Sequence, residues 1–396
     1  MEKNDKEDNR RKEDNKKKTQ NDAKSVLIRS SDEKGGVKKI NGGGELTKRA
    51  SLTRSIAIDW AADFSNQIDL KMCDFVEKVL KIETETTLSA YFLNNLINVQ
   101  PDDNTYTKFR ENPTKNRNND VFCTDTTRVR LKTDKSDASD YIHANYISIE
   151  NSNKAFIASQ HPLPNTIGDF WSMVYNENVE VIVNLTNLVG PDYPIYYPTR
   201  RGENVEYGQY QIGCKSVRIG AHKHGPTIFV IDLKQIGPSR ANEVHIIRYQ
   251  FWPKNMVPES VKVLLLIERF LSRHQRHAPP LIQCETGVNQ SAVFVFVEAM
   301  HTHLMENRFV DIEAVFTNIR KQRMAAITQK VHFIYSIYTI LSIIRMRFTM
   351  RNKHLNVIRS IDTIEQQLYQ QFAKQISEDT SDTRQRSPTP AELLPS

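Results

Sequence analysis

The stretch LIQCETGVNQSAVFVFVEAM, residues 281–300, decides how this chain is read. Leu281 to Gln283 has the character of a buried strand end. A polar turn with Gly287 follows, and from Ser291 onward the residues suit an apolar helix. Glycine enters a tight turn without steric cost. Backbone N–H groups from 285 to 291 would then converge as a nest, and the helix N-terminus adds positive potential at the same point. The result is an anion cradle with a cysteine, Cys284, at its base. A thiolate in such a place is favoured by the amides and the helix dipole. The loop nevertheless carries no cation between Cys284 and Ser291, and Glu285 adds a negative charge. On this stretch alone, a cysteine ending a strand reads more naturally as a small core residue.

The chain has 396 residues, 39% of them hydrophobic, and a net charge of +7. That length suits one large domain or two smaller ones, plus tails. The charge is compatible with an acidic partner, but it is scattered and lacks basic stripes interleaved with aromatics, so no nucleic acid is expected. The four cysteines, Cys73, Cys123, Cys214 and Cys284, form no CxxC pair. Their wide spacing suggests neither a disulfide framework nor a zinc site, and no metal or cofactor is expected. The N-terminus is charged from its second residue, unlike a secretory signal. Apolar runs such as YSIYTILSII, 335–344, are too short to span a bilayer. A reducing, cytoplasmic location is the expectation, and nuclear entry is compatible with it.

Residues 1–55 mix Lys, Asp, Glu, Asn and Gly and are expected to be a disordered tail. Within it, KRASLTRS places basic residues before Ser51, a pattern that suits basophilic kinases. Residues 56–350 read as an α/β domain. ANYISI, AFIAS, VEVIVNLTNL, TIFVIDLKQI and EVHIIRYQFW read as strands. Their mostly short spacing predicts that part of the sheet is antiparallel. The apolar spacing between 58 and 82, 261 and 275, 311 and 323, and 331 and 348 predicts helices. Residues 351–376 carry Leu355, Ile358, Ile361, Ile364, Leu368 and Phe372 on one helical stripe, expected to dock on the domain. Residues 377–396 are expected to be a second disordered tail, with Ser387 and Thr389 each before proline.

Several further segments carry a resemblance. KNRNNDVFCTDTTRVRL (115–131), DYIHANYI (140–147), QHPLPNTIGDFWSMVYNENVEVIVNLTNL (160–188), RYQFWPKNMVPES (248–260) and QRMAAITQKVHFIYSIY (322–338) stand in order around the cysteine loop. Together they resemble the catalytic domain of the classical, phosphotyrosine-specific protein tyrosine phosphatases over roughly residues 70–345. The resemblance implies that family's fold, a twisted mixed β-sheet flanked by helices, with the cysteine loop between a strand and a helix. It implies a mechanism as well. A thiolate attacks phosphorus, and an arginine six positions later grips two phosphate oxygens. An aspartate on a mobile loop protonates the leaving phenol, a tyrosine stacks on the substrate ring, and a glutamine orients the hydrolytic water.

The nucleophile position is Cys284, and the loop Glu285, Thr286, Gly287, Val288, Asn289, Gln290, Ser291 would hold the phosphate. The arginine position is Gln290, an amide without the charged planar fork. The acid position after Trp252–Pro253 is Lys254, an ammonium that is no efficient acid at neutral pH. Gln283 stands where the family has histidine, Asn118 where it has the stacking tyrosine, and Thr328 where it has the water-positioning glutamine. Asp120 keeps the carboxylate that would hold a peptide backbone. These departures favour a pseudophosphatase, a phosphatase-fold binder or signalling scaffold. Its expected partner is a phosphotyrosine-containing or acidic protein segment, such as a kinase substrate or a kinase. The alternative is an active phosphatase working through a Cys284 phosphocysteine, with Glu259 or Asp192 as proton source. A module for another anion and a cysteine protease using His245 or His332 are further readings; the flanking sequence carries no signature of the protease.

Overall fold

Strand β9 (Leu281–Cys284) is the axis of the molecule, and all four of its residues are buried. A strand buried on both faces must be continuously apolar or satisfied internally, and LIQC is short enough to manage this with one amide. The computed structural model describes residues 66–101, 105–132, 139–187, 190–220, 224–237, 240–253, 255–258, 260–275 and 277–385. Among them the strands form one nine-stranded sheet, ordered β1-β2-β3-β9-β4-β8-β7-β6-β5. The N-terminal tail and the extreme C-terminus expected to be disordered, with Ser51, Ser387 and Thr389, lie outside the described residues, as do Lys254 and Glu259.

The four central strands run parallel: β3 (Ala155–Gln160), β9, β4 (Val181–Asn184) and β8 (Asn242–Arg248). Antiparallel strands extend both flanks. β1 (Arg128–Arg130) and β2 (Tyr141–Ser148) lie beyond β3, and β7 (Thr227–Gln235), β6 (Tyr210–Ile219) and β5 (Asn204–Tyr207) lie beyond β8. The sheet is therefore mixed. Hairpin spacing accounts for the antiparallel flanks, and helical crossovers account for the parallel centre.

Each face of the sheet has its own core. On one face α2 (Ile167–Asn176) packs Ile167, Phe170, Trp171, Met173 and Val174 against Val129, Ile157, Ile182, Ile246 and Leu281. On the other, Ile282 and Cys284 meet a helical cluster. This cluster comprises α1 (Asn66–Glu85), α3 (Lys262–His274), α4 (Gln290–Met305), α5 (Ile312–Gln322) and α6 (Lys330–Arg351). Leu281 and Ile282 point to opposite cores, as the two-residue period of a strand demands. Helix α4 is buried nearly all round, which explains its unbroken apolar run.

Helix α7 (Leu355–Gln385) continues beyond the expected boundary at 376. Its Ile361, Ile364 and Leu368 are fully buried in the helical core, while Leu355 is mostly exposed. Arg345 of α6 reaches Asp362 at 3.2 Å and Glu365 at 3.0 Å. The turn between the two helices is made by Asn352 in the left-handed region, a conformation asparagine tolerates. Beneath it, Asp69 of α1 is buried against Arg347 at 2.9 Å and Arg351 at 3.0 Å.

Candidate active site

The cysteine loop leaves the C-terminal end of β9 and runs into the N-terminus of α4. This is where open parallel sheets place ligands. Cys284 is fully buried and faces Gln160 of β3 in register. Gly287 donates its N–H to the Cys284 sulfur at 3.2 Å. Gly287 has φ +73, and a Cβ there would lie 2.6 Å from the Ser159 carbonyl carbon and 2.8 Å from Arg323 Nη2. Both the turn and the close backbone approach therefore require glycine. Val288 is buried, and its carbonyl accepts from Ile327 N–H at 2.6 Å.

Arg323 supports the loop from behind. It is fully buried, with Nε donating to the Gly287 carbonyl at 3.2 Å and Nη2 to the Thr286 carbonyl at 3.0 Å. Its remaining donors reach Asn145 Oδ1 at 2.5 Å and His143 Nδ1 at 3.0 Å. His143 in turn contacts the Val121 carbonyl through Nε2 at 2.8 Å. These partners imply a neutral ring protonated on Nε2. Burial, reinforced by the Arg323 charge, pushes His143 down to about 3.

Under the strand, Gln283 replaces an ionisable group with a neutral relay. Tyr196 donates to Gln283 Oε1 at 2.6 Å, and Gln283 Nε2 donates to His161 Nδ1 at 2.9 Å. His161 Nε2 meets the Pro194 carbonyl at 3.0 Å. Burial lowers His161 to about 4, so the relay is uncharged at neutral pH.

Glu285 is drawn to one side, where its Oε1 accepts from the Tyr193 hydroxyl at 2.7 Å. Arg117 lies over the Tyr193 ring, its guanidinium carbon 4.4 Å from the centroid. Arg117 also donates to the carbonyls of His161 and Pro162, and its N–H binds Gln160 Oε1 at 3.0 Å. Gln160 thereby ties the 115–117 segment to the strand beside Cys284. Asn118 follows, half-buried, with Oδ1 accepting the Asp120 N–H at 2.7 Å in a local turn. Asp120 is exposed.

The water segment is held just as closely. Asn289 precedes α4 without capping it, because its Oδ1 accepts from Thr328 N at 3.1 Å and from Thr328 Oγ1 at 2.9 Å. Ala325 and Ile327 have φ of +61 and +57. A β-branched residue in that region is strained, and Arg320 constrains the segment by donating to the carbonyls of Ala326 and Ile327, both at 2.9 Å. Gln290, at the head of α4, is buried. Ser291 is fully buried, and its Oγ has no hydrogen-bond partner among the described residues. On the other wall, Trp252 is fully buried and donates to the Met256 carbonyl at 2.9 Å, which His332 Nε2 also reaches at 3.0 Å. Lys254, between them in sequence, lies outside the described residues.

The structure thus brings Cys284–Ser291, Thr328 and the segment bearing Asn118 and Asp120 to one end of the sheet. Asp192, considered as a proton source, is exposed. Sequence reasoning did not single out Arg323, Arg117, Tyr193, Tyr196 or His161. His143 and Asn145 within DYIHANYI were the available signal for a buried polar support.

Comparison with known proteins agrees with this geometry. The sequence model of one family, described as protein-tyrosine phosphatase, matches residues 112–342. Human receptor-type tyrosine-protein phosphatase eta is 28% identical over 242 residues, 59% of this chain and 18% of that protein. Rat tyrosine-protein phosphatase non-receptor type 20 is 29% identical over 276 residues, 68% of this chain and 63% of that protein. Rat receptor-type tyrosine-protein phosphatase zeta is 32% identical over 238 residues, 57% of this chain and 10% of that protein. The chain spans less than two thirds of the length of each of these relatives. Among the described residues no helix is long and apolar enough to cross a membrane. With its mixed sheet, its cysteine loop and a family match covering more than half of its length, this chain belongs to the protein-tyrosine phosphatase family.

Proposed function

We propose that the chain is a pseudophosphatase: a cytoplasmic phosphatase-fold protein without turnover that binds a phosphotyrosine-containing or acidic segment of a signalling partner. Gln290 carries the reading. It stands six residues after Cys284, where the mechanism needs a guanidinium, and the two arginines around the loop do not substitute for it. Arg323 spends its donors on Gly287, Thr286, Asn145 and His143, and Arg117 on His161 and Pro162. Losing a charged transition-state stabiliser costs about two to three orders of magnitude in rate. Lys254 in the acid position removes on the order of another 10²–10⁴, and the two losses need not add. Asn118 supplies no stacking ring, and Thr328 is engaged by Asn289. Amide donors of the loop need no side chain, so an anion remains a reasonable ligand. Residues 56–350 with the following helix would form the binding unit.

A second reading, residual phosphatase activity through a Cys284 phosphocysteine, draws on one observation. Ser291 Oγ, buried and without a partner among the described residues, is a hydroxyl at the helix head beside the loop.

The test is turnover of an aryl phosphate and a phosphotyrosine peptide by the full chain and by Cys284→Ser. Neither protein is expected to turn over. Turnover that disappears with Cys284→Ser overturns the proposal in favour of the second reading. A calorimetric titration follows: the phosphorylated peptide should bind more tightly than its unphosphorylated form. Equal binding would move the partner to another surface.

A further inference from the structure

Away from the cysteine loop, a cavity of about 460 Å³ opens between the start of β3, the exposed side of α3 and the segment leading into β9. Its volume falls within the range of roughly 300–1,000 Å³ typical of small-molecule sites. Phe156, Leu271, Pro279 and Pro280 give it apolar walls. Glu298 of α4 lines it as well, with a side chain only 7% exposed. A carboxylate so deeply buried is costly unless a cation answers it. The cation present is Lys154, whose ammonium lies 3.5 Å from Glu298 Oε2 while its side chain remains 47% exposed. Lys154 thus shows that this carboxylate accepts a primary ammonium from the cavity side. Lys154 reaches in from solvent, so an arriving ammonium can take its place without leaving the buried carboxylate uncompensated.

We infer that this cavity is a binding site for an organic primary ammonium on an apolar body, its nitrogen held by Glu298 and its body by the Phe156, Leu271 and proline walls. The inference is independent of whether the cysteine loop turns over or binds phosphotyrosine. A free amine and a lysine side chain of a partner share this chemistry.

Proton linkage supports the assignment. Burial pushes Glu298 up to about 7, with Glu268 of α3 adding to the rise and Lys154 opposing it. His277 lines the same cavity. One turn along α4, His301 is lowered to about 3 by burial and by the charges of Lys154 and Arg347, so it stays neutral. Near neutral pH Glu298 is therefore partly protonated, and an arriving ammonium displaces that proton to solvent.

Calorimetry on the full chain tests the site with phenethylamine, N-acetyl-lysine methylamide and phenylacetate. Phenethylamine should bind, phenylacetate should not, and Glu298→Gln should weaken the amine about ten-fold or more. The binding heat near neutral pH should vary with the ionisation enthalpy of the buffer, and that dependence should vanish in Glu298→Gln. Ser272→Trp fills the mouth from an exposed position and leaves Glu298 in place; it should weaken the amine too. Tighter binding of the lysine derivative identifies a partner's side chain as the source, and the reverse order identifies a free amine. The inference is overturned if no amine binds, if phenylacetate binds equally well, or if both variants bind the amine like the parent chain.

Discussion

Arg323 and Gly287 are locked back to back. The arginine Nε donates to the glycine carbonyl at 3.2 Å, and its Nη2 stands 2.8 Å from where a Cβ on Gly287 would project. The loop is therefore braced from its backbone side by a buried cation. Gly287→Ala combines a left-handed backbone with a clash against backbone atoms of Ser159. It should cost about 2–4 kcal/mol of stability. Chemical denaturation measures it, and a loss well under 1 kcal/mol would mean that the loop relaxes without resistance.

The proposed loss of turnover should be repairable to the extent that the scaffold is intact. Gln290→Arg with Lys254→Asp restores the fork and the acid. We expect aryl phosphate turnover to rise at least a hundred-fold above the parent, the lower end of what one such group contributes. Adding Asn118→Tyr and Thr328→Gln should raise it further. If the double variant stays silent while the quadruple variant turns over, the stacking ring and the water position were equally limiting.

Asp69 anchors the helical cluster by binding Arg347 and Arg351, with Asp69 and Arg347 each only 1% exposed. Asp69→Ala removes this carboxylate from beside a buried guanidinium and should cost about 3–5 kcal/mol. A thermal melt of the variant reads this directly. An unchanged midpoint would show that other groups neutralise Arg347.

Acid should destabilise the domain through its neutral buried imidazoles. Burial holds His143 and His301 at about 3, and His161 and His332 at about 4. Unfolded histidine titrates near about 6.5, so below that pH the unfolded chain takes up protons that the folded chain refuses. Each group then removes on the order of 1.4 kcal/mol per pH unit until its folded value is reached. Glu298 acts in the opposite sense between its ordinary 4.5 and about 7, because its folded form holds the proton more tightly. Four imidazoles against the raised carboxyls of Glu298 and Glu365 predict a falling urea midpoint from about pH 6.5 to about pH 4. A midpoint that rises over this range would contradict the assigned neutral states.

Much of this was legible in the sequence, for identifiable reasons. Helix α4 announces itself because a helix buried nearly all round carries a long apolar run, AVFVFV, and strand β9 because it leads straight into the cysteine loop before that helix. Helix α6 stands out likewise. Helix α2 was passed over although Ile167, Phe170, Trp171 and Val174 carry a helical stripe, because its ten residues give a short window for periodicity. Strands β5 and β6 were also missed; NVEY is half exposed, and YQIGCKSVRI carries a glycine and two cations. The loop residues Cys284 to Ser291 are contiguous and could be read as a unit. Their supports could not, since Arg323 and the pair His143 and Asn145 come from distant segments. Only the tertiary fold shows that their polar atoms meet behind the loop.

Helix α7 has a practical consequence for handling the domain. Ile361, Ile364 and Leu368 are fully enclosed, and Gln371 reaches Glu83 of α1 at 3.0 Å. A fragment trimmed at the last residue of α6 would uncover a continuous greasy strip along two helices, and its molecules would cohere through that strip. The shortest version that keeps this seam closed ends after Gln371, well past the stretch in which the phosphatase likeness is visible.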